Sequence, residues 1–239
     1  MENKNAKAFP IMIYLSALAA LVAVAAFNRL SQAAWLNKPV LDVLRPCDLI
    51  VVFLLAPVAI FLLWGLFKVL RGDTFLPATL LFLLGAFLTG VAFGMHEPMN
   101  VLSSVHRASI PPQLLNSIIF LDDGLGHYVF FAGFMSLSLA GIWAELRDAQ
   151  STEPFSRNVL VCAAVTGIVT AAVIYANMVH EKALIDIAIL AITVAISAVL
   201  QLVYGSPSFR KLPLLIALCL GYGGGVLATL LYWLIRGMP

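Results

Sequence analysis

Charge is what this 239-residue sequence has least of. Asp, Glu, Lys and Arg make up only 11% of the residues, whereas 62% of the residues are hydrophobic, and the net charge is +2. A soluble domain carries about 25% charged residues, so the composition excludes that class. The small net charge also excludes a nucleic-acid-binding protein, which needs a clustered basic surface. We therefore expect membrane lipid, and no nucleic acid, as the partner of this chain.

Cysteine is scarce as well, and the sequence contains only Cys47, Cys162 and Cys219. An odd number of cysteines, two of them inside apolar stretches, does not form a disulfide framework. The pattern is typical of small apolar residues that pack inside a protein. Thiolate ligands are therefore not expected at a metal site.

Long hydrophobic runs are what the sequence has in abundance, and its mean hydropathy is +1.00. A bilayer core about 30 Å thick requires roughly 20 apolar residues per helical crossing. Backbone groups in lipid must be hydrogen-bonded within their own segment, so each run is expected to be a helix. The sequence predicts an all-α fold, a polytopic integral membrane bundle of about seven helices, with residues 1–239 as a single transmembrane domain. The predicted helices are 9–27, 49–70, 75–95, 118–144, 159–179, 183–204 and 214–235.

The basic residues divide between the two membrane faces that seven crossings define. The face of the N-terminus receives Lys4, Lys7, Lys68, Arg71, Arg147, Arg157, Arg210 and Lys211, and the opposite face receives Arg29, Lys38, Arg45, Arg107, Lys182 and Arg236. Cytoplasmic loops carry an excess of Lys and Arg. This distribution favours a cytoplasmic N-terminus and an extracytoplasmic C-terminus.

The sequence has four histidines, His96, His106, His127 and His180, and the predicted topology sends all of them to the face opposite the N-terminus. Carboxylates accompany them. Asp123 lies four residues before His127, a spacing that brings both side chains to one face of a helix. Ionisable groups near membrane depth are costly, so they mark functional sites. The competing interpretation is that these polar side chains reach water at the interface and cap helix ends.

Imidazole with carboxylate is a ligand set that suits zinc, iron or copper. We predict a metal site formed by His96, Asp123, His127 and His180, with Glu97, Asp122 and Glu181 as acid/base candidates. Zinc is favoured, and iron or copper are alternatives. A metal-activated water beside a carboxylate base would hydrolyse an ester or amide bond of a lipid.

Seven helices with a His/Asp cluster resemble the membrane hydrolase superfamily of alkaline ceramidases and adiponectin-type receptors. The resemblance implies a seven-helix bundle with a zinc ion that three histidines bind among the helices. That family has paired histidines four residues apart on the last helix, whereas the last predicted helix here has no histidine. No residue roles are transferred from the family for this reason.

Other classes compete with a hydrolase. A metal-dependent membrane oxidoreductase would use the same ligands, and a haem protein would use two of the histidines as axial ligands. A transporter or a non-enzymatic subunit of a larger membrane complex would use the cluster for ions or only for packing. A retinal protein is excluded, because residues 214–235 contain no lysine for a Schiff base.

Overall fold

The fold was analysed in a computed structural model, which describes residues 4–31, 33–40, 44–71, 75–150, 153–179 and 184–237. Seven helices in these ranges are long and apolar enough to cross a membrane, which confirms the all-α seven-helix bundle. The chain is a multi-pass membrane protein. The helices are α1 (Lys4–Leu30), α2 (Pro46–Arg71), α3 (Leu76–Ser104), α4 (Pro112–Asp148), α5 (Arg157–Met178), α6 (Leu184–Val203) and α7 (Pro213–Arg236).

The predicted boundaries fail at the end of α3 and the start of α4. The sequence predicts that α3 ends at residue 95, but the helix continues to Ser104, so His96 lies inside it. Glu97 and Val101 are buried on this extension, which explains why the helix persists past the apolar run. The connection between α3 and α4 is therefore only residues 105–111.

The central element is α4, which packs against α2, α3, α6 and α7. Half of the residues in its most apolar 18-residue stretch are buried inside the protein, compared with 17–39% of the residues in the corresponding stretches of the other six helices. A helix with partners on most of its sides is shielded from lipid. Residues at both of its ends are therefore positioned by neighbouring helices, and this applies to the polar residues described below.

A close helix crossing joins α3 and α4 through Gly85 and Gly133. A Cβ on Gly85 would lie 2.8 Å from the carbonyl oxygen of Gly133, so only glycine permits this approach. The GxxxG spacing of Gly221 and Gly225 also packs within the molecule, against Thr170 and Ile174 of α5. Gly90 and Gly94 of α3 have the same spacing but do not pack against another described helix, because a Cβ at either position would have no atom within 4 Å.

The end of the bundle nearest the N-terminus is held by buried polar contacts. Glu145 is 1% exposed, and its two carboxyl oxygens accept hydrogen bonds from the backbone N–H groups of Leu214 and Leu215, at 2.6 and 2.8 Å. N–H groups in the first turn of a helix have no acceptor within that helix, and Glu145 supplies acceptors for these two in α7. Lys7 pairs with Asp148 at 3.0 Å and joins α1 to the end of α4. This end is a structural anchor.

Three helices change from α to π hydrogen bonding for about one turn. The π segments are Val51–Leu55 in α2, Phe120–Gly126 in α4 and Cys219–Gly223 in α7. The first ends two residues before Pro57, which has no N–H to donate to the preceding turn. Isolated π turns inside α-helices are frequent at functional sites, and the second segment contains Asp122 and Asp123.

Candidate active site

A cavity of about 730 Å³ lies between the helices, and its two ends differ in chemistry. The end away from the N-terminus is lined by polar side chains from five helices. The rest of the lining is mostly apolar and continues deep into the bundle. The polar lining residues at this end are Arg29, His96, Glu97, Asn100, Asp122, Asp123, His127, Asn177 and Asp186.

His96 of α3 is held by Asp122 of α4. Its Nδ1 atom lies 2.7 Å from Oδ1 of Asp122, and the two side chains are 19% and 5% exposed. Ser103, two turns further along α3, donates a hydrogen bond of 2.9 Å to the other carboxylate oxygen, Oδ2. Oδ1 of Asp122 forms no hydrogen bond with the described residues, so its approach to His96 is an ion-pair contact, and the same Nδ1 atom also lies 3.4 Å from the backbone oxygen of Asp122.

His127 of α4 has an equivalent partner on α6. Its Nδ1 atom lies 2.9 Å from Oδ2 of Asp186, which is buried. The rings of His96 and His127 meet edge to face, with centroids 5.2 Å apart. The hydrogen bond to Asp186 selects the His127 tautomer that carries its proton on Nδ1 and makes Nε2 the basic or metal-binding nitrogen.

The π segment of α4 contains Asp122 and Asp123, which both line the cavity, but Asp122 is buried whereas Asp123 is exposed. Gly126 is required within it, because a Cβ there would lie 2.8 Å from the carbonyl oxygen of Leu121. The missing side chain also lets the backbone of α3 at His96 come close. The local sequence Asp-Asp-Gly-Leu-Gly-His therefore supplies the carboxylates and the small residues that bring them beside the imidazoles.

An ion-pair network borders the histidine pair on the side of α1 and α2. Arg29 lies 3.4 Å from Glu97 and 3.9 Å from Asp48. Asp48 is fully buried and accepts two side-chain hydrogen bonds of 2.9 Å from Arg45. These bonds raise the pKa of Arg45 above its ordinary value, so that the pair remains charged. The network fixes Glu97 at the cavity wall.

Five of the predicted site residues line this one cavity, namely His96, Glu97, Asp122, Asp123 and His127. The other two, His180 and Glu181, lie outside the described residues. Within the described part of the chain, no three His, Cys, Asp or Glu residues are grouped closely enough to hold a metal ion. The described residues thus supply a pair of imidazoles with carboxylate partners.

Asp186 was not among the predicted site residues, although it is the partner of His127. The signal for it was an aspartate at the start of an apolar helix, which the sequence alone explains equally well as a favourable charge near a helix N-terminus. Arg29, Ser103 and Asp48 were missed for a similar reason. Arg29 and Ser103 contact residues that are distant in sequence, as Asp48 does in its contact with Arg29, and hydropathy gives no information about which helices are neighbours.

Negative groups predominate among the charges at the polar end. Glu97, Asp122, Asp123 and Asp186 line it, and Arg29 is the only Lys or Arg among the described lining residues. Buried carboxylates in excess are costly unless a cation or a proton compensates them. The polar end is therefore suited to a cation, to protonated imidazoles or to a ligand that donates hydrogen bonds.

No family model, no curated protein and no solved structure matches this chain. The fold and the cavity define the chain as a seven-helix membrane protein with a polar site at one end of an internal apolar cavity.

Proposed function

We propose that this chain is a membrane-embedded metalloenzyme that hydrolyses an ester or amide bond of a lipid. The observation that carries the proposal is the continuity of one cavity from paired imidazoles and carboxylates into an apolar interior. An amphiphilic substrate needs both parts, because its reactive bond lies between a polar group and a hydrocarbon chain. A cavity of this size is within the usual range for one small ligand, about 300–1,000 Å³.

The proposed metal ligands are His96, Asp123, His127 and His180. The described residues fit a metal in part: an imidazole whose Nδ1 atom is hydrogen-bonded to a carboxylate, as in His127, is the usual arrangement around metal-binding histidines. The excess of carboxylates at the polar end supports a divalent cation in the same way. Imidazole with carboxylate suits zinc best, with iron or copper as alternatives. When bound, zinc would polarise the carbonyl oxygen of the ester or amide.

The protein groups then have distinct roles. Asp186 holds His127 in one orientation and one tautomer through a hydrogen bond, and Asp122 is the ion-pair partner of His96. Glu97, at the same wall, is the proposed general base, and Glu181 is the second candidate. The base accepts a proton from water as the water oxygen bonds to the carbonyl carbon. The bond to the leaving oxygen or nitrogen then breaks, and that atom takes up a proton.

The orientation that the basic residues favour would put this site at the extracytoplasmic face. The helix directions agree with a site opposite the N-terminus: Arg29 is near the end of α1, and His96 is in the last third of α3. The substrate would then enter from the outer leaflet, with its polar group toward water.

Metal analysis tests the first half of the proposal. We expect purified wild-type protein to contain about one zinc per chain and His96→Ala, His127→Ala and His180→Ala to lose most of it. His106→Ala is the matched control, because His106 lies in the connection between α3 and α4, outside the described cavity lining. Equal metal content in all five proteins would contradict the metal site.

Hydrolysis tests the second half. Metal-loaded protein in liposomes should release fatty acid, measured by mass spectrometry, from ester-linked or amide-linked lipids, and His127→Ala should not. If neither lipid class is cleaved, the hydrolase proposal is wrong. If the bound metal is iron or copper and its spectrum changes on addition of a reductant, the oxidoreductase alternative takes its place.

A further inference from the structure

The depth of the cavity can be measured along three helices. Arg29, His96 and His127 belong to its polar end, and the innermost lining residues of the same helices are Leu15 of α1, Phe82 of α3 and Gly141 of α4. On each helix the two residues are fourteen positions apart in the sequence. At 1.5 Å per residue, fourteen positions correspond to about 21 Å. The distance from Arg29 and the histidine pair to the inner end is therefore about 21 Å.

This depth corresponds to a definite length of hydrocarbon. A fully extended backbone advances about 3.3–3.6 Å over three bonds, or about 1.2 Å per bond. A linear chain that spans about 21 Å then has about 17 bonds. The depth also exceeds half of the bilayer's hydrocarbon core, which is about 15 Å.

The walls below the polar end suit a saturated chain. Phe93, Phe130 and Phe134 form an aromatic wall that begins next to the histidine pair, and all three line the cavity. Further down, the hydroxyl groups of Ser138 and Tyr222 hydrogen-bond each other at 2.9 Å. Thr170 donates to the backbone oxygen of Thr166 in its own helix. These hydroxyl groups are occupied within the protein, so the wall offers mainly apolar contact.

Val22 lies midway along this depth. It is seven positions from both Arg29 and Leu15 on α1, and it lines the cavity. Val24, two positions later, is 51% exposed on the outside of the bundle and does not belong to the described lining. The same residue type on one helix thus occurs once inside the cavity and once on the outer surface.

We propose that the cavity binds a single linear acyl chain of about 16–18 carbons, with its polar group beside His96 and His127, and that Val22 limits the chain length that fits. The proposal deepens the hydrolase proposal, since it names the acyl part of the lipid substrate. It predicts that a larger side chain at residue 22 shortens the usable cavity to about 10 Å, room for about 8–10 carbons.

Binding of N-acylethanolamines from about 8 to about 20 carbons long tests the proposal, with native mass spectrometry of the full chain in detergent at equal ligand concentrations. We expect wild-type protein to prefer about 16 carbons over about 10 by roughly ten-fold, because a shorter chain leaves lining atoms without contacts. Val22→Phe should move the preferred length to about 8–10 carbons, and Val24→Phe should give the wild-type profile.

Two results would overturn the proposal: a wild-type profile without a length preference, or the same profile in Val22→Phe and Val24→Phe. If Val22→Phe does not fold, Val22→Leu replaces it and should shift the preference in the same direction by less. The readout does not require catalysis. A length preference without hydrolysis of any lipid would support the acyl site and contradict the hydrolase proposal. Hydrolysis without a length preference would support the hydrolase proposal and contradict the acyl site.

Discussion

At its two ends α4 carries buried carboxyl groups, and the groups that they contact differ in kind. Near its C-terminus, Glu145 accepts hydrogen bonds from the backbone of α7. Near its N-terminus, Asp122 contacts an imidazole and a hydroxyl group of α3, both of them side chains. Glu145 is surrounded by packed residues, whereas Asp122 lines a cavity.

The difference separates a structural carboxyl group from a site carboxyl group. Backbone N–H groups are fixed donors, so Glu145 can only hold α7 in place. Imidazoles titrate near neutral pH and bind metals, so the carboxylates that orient them also control their chemistry. Burial alone therefore does not identify a functional carboxylate in this bundle. The chemistry of the contacted group does.

The largest effect on stability is expected from Glu145→Ala. The substitution leaves two buried N–H groups at the start of α7 without acceptors, and we expect it to lower the free energy of unfolding by about 3 kcal/mol. Unfolding of the variant in detergent with increasing denaturant would measure the loss. Metal content per folded chain should be unchanged. A stable variant that has lost its metal would contradict the assignment of Glu145 to structure.

A smaller effect, confined to the site, is expected from Asp186→Ala. Without this carboxylate, His127 loses the group that fixes its ring, and loss of such a partner typically lowers metal affinity by about 10–100-fold. Competition with a chromophoric zinc chelator would measure the affinity. Asp148→Ala offers a control, since Asp148 is an aspartate at the other end of the bundle that pairs with Lys7. Equal affinities in the two variants would remove the distinction between the ends.

The smallest effect is expected from Ser103→Ala, which removes one hydrogen bond to Asp122. The loss should be about 1 kcal/mol, or roughly five-fold in metal affinity by the same titration. The neighbouring Ser104→Ala is the matched control, because Ser104 is exposed and, among the described residues, its hydroxyl group donates to the backbone oxygen of Asn100 in its own helix. If both serine variants lose affinity equally, Asp122 does not depend on Ser103.

The seven spans could be predicted from the sequence because hydropathy and bilayer thickness determine them almost alone. The convergence of His96 and His127 was also predictable in part, since the topology sends both to one face. The side chains that these histidines and their carboxylates contact could not be predicted. Asp186 and Ser103 are recognised only when the neighbouring helices are known, and the same holds for Glu145, which sequence patterns gave no reason to single out.

The end of α3 was mispredicted for an instructive reason. Hydropathy marks the end of an apolar run, but a helix ends only where its backbone loses partners. Residues 96–104 continue the helix because Glu97 and Val101 are buried against the rest of the protein. A polar residue at the apparent end of an apolar run can therefore lie inside the bundle, as His96 does.

The π turn of α4 makes the site depend on helical register. One residue advances an α-helix by about 100°. Deletion of Leu125, between the aspartates and His127, would preserve a membrane-spanning helix, yet it would rotate Asp122 and Asp123 by about that angle relative to His127. The two aspartates and the histidine would then no longer face the same space, even though every residue type that the chemistry requires would still be present.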